Sequence, residues 1–208
     1  MASTRVTADL NTPTYWDEVY RDEWAQGKLE GAHRDYGPIH DAVVELVAPG
    51  SRVLDVGCGL GILCRKIAAR RSGTRVVGVD FSAYAIERNR DRDRGLPIEY
   101  VRLDVRSELP TLEGAFDAVT MCEILEHLTE PERVVADALA LLRPGGLFVL
   151  TCPHDQEIDD PEHLRLWGHD EVFHLLAPYG ERISFVHFPP PYYSAWLLAH
   201  LTKKSVGL

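Results

Sequence analysis

The chain has 208 residues, 45% apolar and 26% charged, with a formal net charge of −10. A chain of this length and composition makes a globular protein with one sizeable core, and excludes a disordered or fibrous one. The acidic balance disfavours nucleic acid as a partner, and no run is long and apolar enough for a membrane span.

The N-terminal stretch MASTRVTADLNTPTYWDEVY lacks the apolar segment of a secretory signal. Cys58, Cys64, Cys122 and Cys152 form no CxxC pair, so neither a zinc knuckle nor a redox pair is indicated. A reduced, cytoplasmic setting is expected. Arg65, Lys66, Arg70 and Arg71 cluster, as do Arg88, Arg90, Arg92 and Arg94. Both groups fall on predicted helices and are expected to be solvated faces rather than anion sites.

In chain order, YWDEVYRDEW and IHDAVVELV predict two helices. SRVLDVG is a short apolar run ending in glycine, the first strand. GILCRKIAARR carries Ile62, Leu63, Ile67 and Ala68 at helical spacing. TRVVGVD is a second strand, and SAYAIERNRDR a helix with Ser82 as N-cap. IEYVRLD, FDAVTMC and GGLFVLTC read as strands three to five. A helix between the last two is predicted from Glu130 to Leu142, with Thr129 and Glu132 at capping-box spacing and Pro144-Gly145-Gly146 as the stop. HDEVFHLLAPYG follows as a helix, RISFVHF as a strand, and SAWLLAHLT as a final strand. This alternation predicts a doubly wound α/β fold whose mostly parallel sheet is covered on both faces.

The first strand runs into DVGCGLG, with Asp55, Gly57, Gly59 and Gly61. Parallel sheets bind ligands beyond the carboxyl ends of their strands, and glycines there admit a ligand close to the backbone. A dinucleotide wants G-x-G-x-x-G, but Ile62 occupies the third glycine's position. Asp55 lies in the loop region, where a carboxylate suits a sulfonium or ammonium ligand better than a pyrophosphate. Asp80 ends the second strand and can accept two hydrogen bonds from a ribose diol. Together these features favour S-adenosylmethionine.

VLDVGCGLG, VVGVDFS, VRLDV, FDAVTMCEILEHL and LLRPGGLFVLTCP together resemble the class I S-adenosylmethionine-dependent methyltransferases, over almost the whole chain. The resemblance implies a seven-stranded sheet with an antiparallel last strand. It implies one methyltransferase domain over residues 1–208, with residues 1–48 as a helical lid and 49–208 as the cofactor-binding core. It places the cofactor contacts at Tyr15, Asp55, Gly57, Cys58, Gly59, Asp80, Phe81, Asp104, Val105 and Cys122, with Asp104 and Val105 at the adenine. Trp16 is the other aromatic expected to close over the methionine end.

In this fold the end of the fourth strand lies beside the sulfonium. A helical turn there would set Glu123, Glu126 and His127 on one face. Three readings stand open: a Mg²⁺ or Mn²⁺ site, a metal-free acid/base pair of His127 and Glu123, and structural anchors. E-x-x-E-H resembles segments of two metal-using branches: ubiquinone-pathway O-methyltransferases, and small-RNA 3′-terminal 2′-O-methyltransferases that add a later histidine. His154, His163 and His169 are candidates for that histidine, with His163 favoured, so the metal set is Glu123, Glu126, His127 and His163.

His33, Arg34, Tyr36 and His40 are candidates to line an acceptor pocket. The aromatic loop Pro189–Trp196 is expected to roof an apolar acceptor or form a homodimer contact. The expected function is methyl transfer to a small molecule, at oxygen. The alternatives are RNA 3′-terminal 2′-O-methylation and a non-catalytic cofactor-binding regulator.

Overall fold

The structure is a computed structural model and describes residues 10–27, 36–153, 161–188 and 196–204. His33, Arg34, His154 and residues 189–195 of the aromatic loop lie outside the described residues.

Two helices, α1 (Pro13–Ala25) and α2 (Gly37–Leu46), precede the sheet. Then follow β1 (Arg52–Val56), α3 (Ile62–Arg70), β2 (Arg75–Asp80), α4 (Ala83–Arg92), β3 (Ile98–Arg102), β4 (Phe116–Cys122), α5 (Pro131–Ala140), β5 (Leu142–Pro153), α6 (His169–Leu176), β6 (Gly180–Phe188) and β7 (Trp196–Lys203). The strands form one seven-stranded sheet in the order β3-β2-β1-β4-β5-β7-β6. Strands β1 to β5 pair in parallel, while β7 inserts antiparallel between β5 and β6. The expected doubly wound sheet with an antiparallel last strand is therefore present.

Alternate residues of each central strand face opposite layers, because strand side chains alternate. Leu54 and Val56 of β1 pack with Val119 and Met121 of β4, Val134, Val135 and Leu139 of α5, and Val172 and Leu176 of α6. Val53 packs on the other face with Val43 and Val44 of α2, Leu63 and Ile67 of α3, and Ile86 of α4. Fully apolar runs result because both faces are covered.

The expected lid stretch divides in two. Ile39, Val43 and Val44 of α2 are buried, whereas α1 has no buried residue. Burying three such side chains stabilises α2 by roughly 5–9 kcal/mol. Docking of α1 rests instead on single hydrogen bonds and ring contacts, each bond worth about 0.5–1.5 kcal/mol net.

Two local expectations are corrected. The N-cap of α5 is Glu130, with no side-chain cap bond, so the Thr129–Glu132 capping box does not form. The segment after β4 is not a helical turn from Glu123. Glu123 takes a left-handed backbone (φ 53), and a single 3₁₀ turn spans Leu125–His127. The left-handed residue lets Glu123 donate its N–H to the Thr151 carbonyl (3.1 Å) and accept from the Thr151 hydroxyl (2.7 Å).

The basic clusters are largely taken up by local contacts. Lys66 and Arg70 pair with Asp41 at 2.8 and 2.9 Å, Arg71 with Glu45, Arg65 and Arg92 with Asp93, and Arg94 with Asp91. Arg90 donates twice to the Tyr100 carbonyl, and Arg88 lies over Trp24 and Tyr84. Among the described residues no helix is long and apolar enough to cross a membrane.

Candidate cofactor pocket and active site

The strand order reverses at β1, where β2 and β4 flank it on either side. The connections after β1 and β4 leave in opposite directions there and open a crevice. An open pocket of about 520 Å³, including solvent space at its mouth, lies at this point. Of the candidate site residues, Gly57, Asp80, Phe81, Asp104, Val105, Glu123 and His127 line it. Asn11, Trp16, Tyr20, Arg106, Ile124 and Leu128 complete the lining. Tyr15, Asp55, Cys58, Gly59 and Cys122 are not among the lining residues.

Gly57 (φ 72) turns the chain out of β1, and a Cβ there would collide with Ile124 Cδ1. The missing side chain lets the loops after β1 and β4 close on each other. Gly59 (φ 48) presents its Cα to Tyr20, whose hydroxyl would lie 3.0 Å from an added Cβ.

Asp80 organises this loop. Its two carboxylate oxygens accept from the backbone N–H groups of Gly59 and Ser82, both at 2.9 Å. Burial pushes its carboxyl up to about 6, against the pull of those two bonds. Tyr20, half-buried against this loop, is raised well above the usual phenol range, by the loss of water around its hydroxyl first and by Asp80 next. Asp55 lies behind the loop. Its carboxylate accepts from the Thr120 hydroxyl at 2.7 Å and the Cys64 thiol at 3.2 Å. Burial also pushes Asp55 up to about 6.

For Asp55 and Asp80 the folded carboxyl holds its proton more tightly than the unfolded one, whose ordinary value is 3.8. Their stabilising contribution is therefore full below that value and is lost as pH rises through about 6. At neutral pH each buried charge works against the fold. Asp55→Asn should thus raise stability at neutral pH by about 1–2 kcal/mol and flatten its fall between about pH 4 and 6. Urea melts across that range check this, and an unchanged pH slope would refute it. A simultaneous loss of cofactor affinity would assign Asp55 to the ligand as well as to the loop.

At the far end Asp104 holds Arg106 in a two-pronged ion pair, with contacts of 2.9 and 2.8 Å. That guanidinium holds the Asp104 carboxyl below its usual range. Arg106 also lies over the Phe81 ring at 5.3 Å and donates to the Asn11 carbonyl at 2.9 Å. The expected adenine end is thus closed by a cation that contacts both the β3 loop and the N-terminal segment.

At the opposite end His127 lines the pocket, while Glu126 and His163 gather beside it outside the lining. Ligand atoms of Glu126, His127 and His163 lie within 4.8 Å of one another. Glu126 is 2% exposed, with Oε1 3.8 Å from His127 Nε2. The rings of His127 and His163 meet edge-on at 5.0 Å. Glu123 is not a member of this close set. His169 points elsewhere, 4.0 Å from the Phe185 ring. Tyr36 and His40 stack at 5.8 Å, and neither lines the pocket.

The α1 helix crosses the pocket. Asp17 accepts from the Ser82 hydroxyl (2.5 Å) and the Tyr84 N–H (3.1 Å), tying α1 to the start of α4. Trp16 and Tyr20, one turn apart and 5.3 Å between rings, face inward. Trp16 packs on His127 at 5.2 Å. Their i, i+4 spacing is visible in the sequence and marks a shared face. Nothing in the sequence pattern points to Asn11 or Arg106.

Comparisons with known proteins fit this geometry. A protein-family profile described as "Methyltransferase domain" matches residues 54–150. A ubiquinone biosynthesis O-methyltransferase of Nitrosococcus oceani is 34% identical over 151 residues, covering 70% of this chain and 63% of the relative. The chain therefore spans less than two thirds of that relative's length. A 1,6-didemethyltoxoflavin-N1-methyltransferase of Burkholderia thailandensis superposes with a TM-score of 0.66 at 22% identity, over 98% of this chain and 95% of that one. The cyclase SpnF superposes with a TM-score of 0.67 at 22% identity, over 82% and 81%. At such identities these structures share the fold alone. Residues 54–150 match a methyltransferase domain, and the chain is similar to the class I S-adenosylmethionine-dependent methyltransferases.

Proposed function

We propose that the protein transfers the methyl group of S-adenosylmethionine to a small molecule, at oxygen. The observation that carries the choice of oxygen is the buried Glu126 beside His127 and His163 in the pocket region. The relatives named ubiquinone biosynthesis O-methyltransferase support it. The fold alone cannot, since the cyclase SpnF shares it. The comparisons favour neither the RNA nor the regulator reading.

In this reading Asp80 receives the ribose diol, with Phe81, Asp104 and Val105 around the adenine. The glycine loop admits the methionine chain, and α1 serves as the lid, with Trp16 and Tyr20 against the sulfonium end. Methyl transfer is an in-line displacement on an already activated carbon. The acceptor oxygen forms the new bond as the carbon–sulfur bond breaks, and neutral S-adenosylhomocysteine leaves. The protein's main work is orientation and water exclusion, to which the aromatic lid contributes.

The hydroxyl proton must also go somewhere. His127 Nε2 beside Glu126 is a suitable base, and ionised Glu126 would stabilise the imidazolium. The cluster equally fits a divalent cation held by Glu126, His127 and His163. A cation there would act as a Lewis acid and lower the acceptor's pKa. Two imidazoles and one carboxylate suit Mn²⁺ better than Mg²⁺, which prefers oxygen ligands. Glu123, occupied with Thr151, supports the backbone at the end of β4 in this reading.

A cytoplasmic setting is supported by four free cysteines. The test is methyl transfer from isotope-labelled cofactor to a panel of catechols, phenols and amines, with S-adenosylhomocysteine counted alongside. Label on catechol or phenol oxygen is expected. Label on amines alone would overturn the oxygen assignment. Tight cofactor binding without turnover on any acceptor would favour the regulator.

A further inference from the structure

The lid helix and the loop after β5 meet at one residue. The Glu162 carboxylate accepts from the Tyr15 hydroxyl. Its main-chain carbonyl accepts from the Asn11 amide at 2.9 Å. That same carbonyl lies 3.2 Å from Nδ1 of His127. A carbonyl only accepts, so this contact puts a proton on Nδ1, and in the neutral ring Nε2 then carries the lone pair. Nε2 is the atom facing Glu126.

The surroundings reinforce the geometry. The Leu164 N–H donates to the Glu126 carbonyl at 2.9 Å, stitching this loop to the 3₁₀ turn that carries His127. The Trp16 indole donates to Asn11 at 3.1 Å while its ring packs on His127. Two residues before α1 and at its start therefore grip Glu162, and a third presses on the imidazole that Glu162 orients.

We propose that Glu162 is a positioning residue that makes docking of α1 and orientation of the His127 imidazole a single event. The inference rests on the reading of His127 as an active-site group, whether base or metal ligand. With Tyr15 and Asn11 engaged, the 162 carbonyl is held against Nδ1, and Nε2, on the Glu126 side, is left to take up a proton or a cation that the Glu126 carboxylate then stabilises. With α1 lifted, both tethers and the Trp16 contact are lost, and the imidazole is free to change tautomer and ring angle. The reactive nitrogen is thus presented only under a closed lid, when water is excluded.

The test reads the tautomer directly, on the full chain labelled with ¹⁵N-histidine. Long-range ¹H–¹⁵N correlation at mildly alkaline pH, with His127 assigned by its loss in His127→Gln, distinguishes Nδ1–H from Nε2–H. The parent should show Nδ1–H at His127. Tyr15→Phe and Glu162→Ala should both shift His127 toward the Nε2–H form that free histidine prefers. Glu162→Gln keeps an acceptor for the phenol and should restore the parent signal. Cleavage after Arg21 by trypsin should quicken in the first two variants, and methyl transfer should fall about tenfold. Parent-like His127 signals in both Tyr15→Phe and Glu162→Ala would overturn the proposal; Tyr15→Phe alone decides if the other fails to fold. The spectrum needs no turnover. A shifted tautomer in a protein that methylates nothing would therefore fail the functional reading while leaving the coupling in place.

Discussion

Asp80→Ala should cost about 1.5–3 kcal/mol of cofactor binding, roughly 10- to 150-fold in affinity, the scale of hydrogen bonds to a charged group. The substitution removes the proposed acceptor for the ribose diol and the anchor of the glycine loop, since Gly59 and Ser82 both donate to this carboxylate. Stability should respond differently. Burial raises the Asp80 carboxyl, so the charge works against the fold at neutral pH. Removing it should therefore change the melting temperature little, and the loss should appear in binding. Calorimetry with S-adenosylhomocysteine on folded parent and variant checks both halves. Unchanged affinity would mean that the ribose is held by other groups.

Glu126→Ala should lower methyl transfer by about 10²- to 10³-fold while cofactor affinity stays within about twofold, because the proposed role of Glu126 is on the acceptor side. Glu126 is buried, so Glu126→Gln serves as the companion variant that preserves shape and one acceptor oxygen. Chelation separates the two chemistries of the cluster. If a cation is held by Glu126, His127 and His163, parent activity should collapse in chelator and return with Mn²⁺ more readily than with Mg²⁺. If His127 is a metal-free base, chelator should leave the rate untouched and His127→Ala should depress it alone. Full activity of Glu126→Ala in chelator would remove this cluster from the chemistry.

Much of the scaffold is legible in the sequence because its signals are local. β4 spans Phe116–Cys122, the run FDAVTMC itself, since a short apolar segment bounded by a turn has few other stable states. Ser82 caps α4 by accepting from Ala85, a bond that needs only three residues of chain. Glycine loop and strand-end acid are likewise local, and Gly57, Asp80, Phe81, Asp104 and Val105 all reach the pocket.

The direction of individual side chains was decided by distant partners. Asp55 sits in the predicted loop region, yet parallel register sets it opposite Thr120, 65 residues on, whose hydroxyl holds it behind the loop. Glu123 shares a predicted helical face with Glu126 and His127, but Thr151 on the neighbouring strand captures its carboxylate and bends its backbone left-handed. Asn11 and Arg106 meet across 95 residues at the end of the pocket beside Asp104. Glu162 meets Tyr15 across 147. Periodicity, caps and turn residues depend on neighbours in the chain, so the sequence by itself determined the strands, the helices and the place of the pocket. Which acids face that pocket, and which histidine joins Glu126 and His127, depends on sheet register and on how α1 docks, and only the tertiary structure decided it.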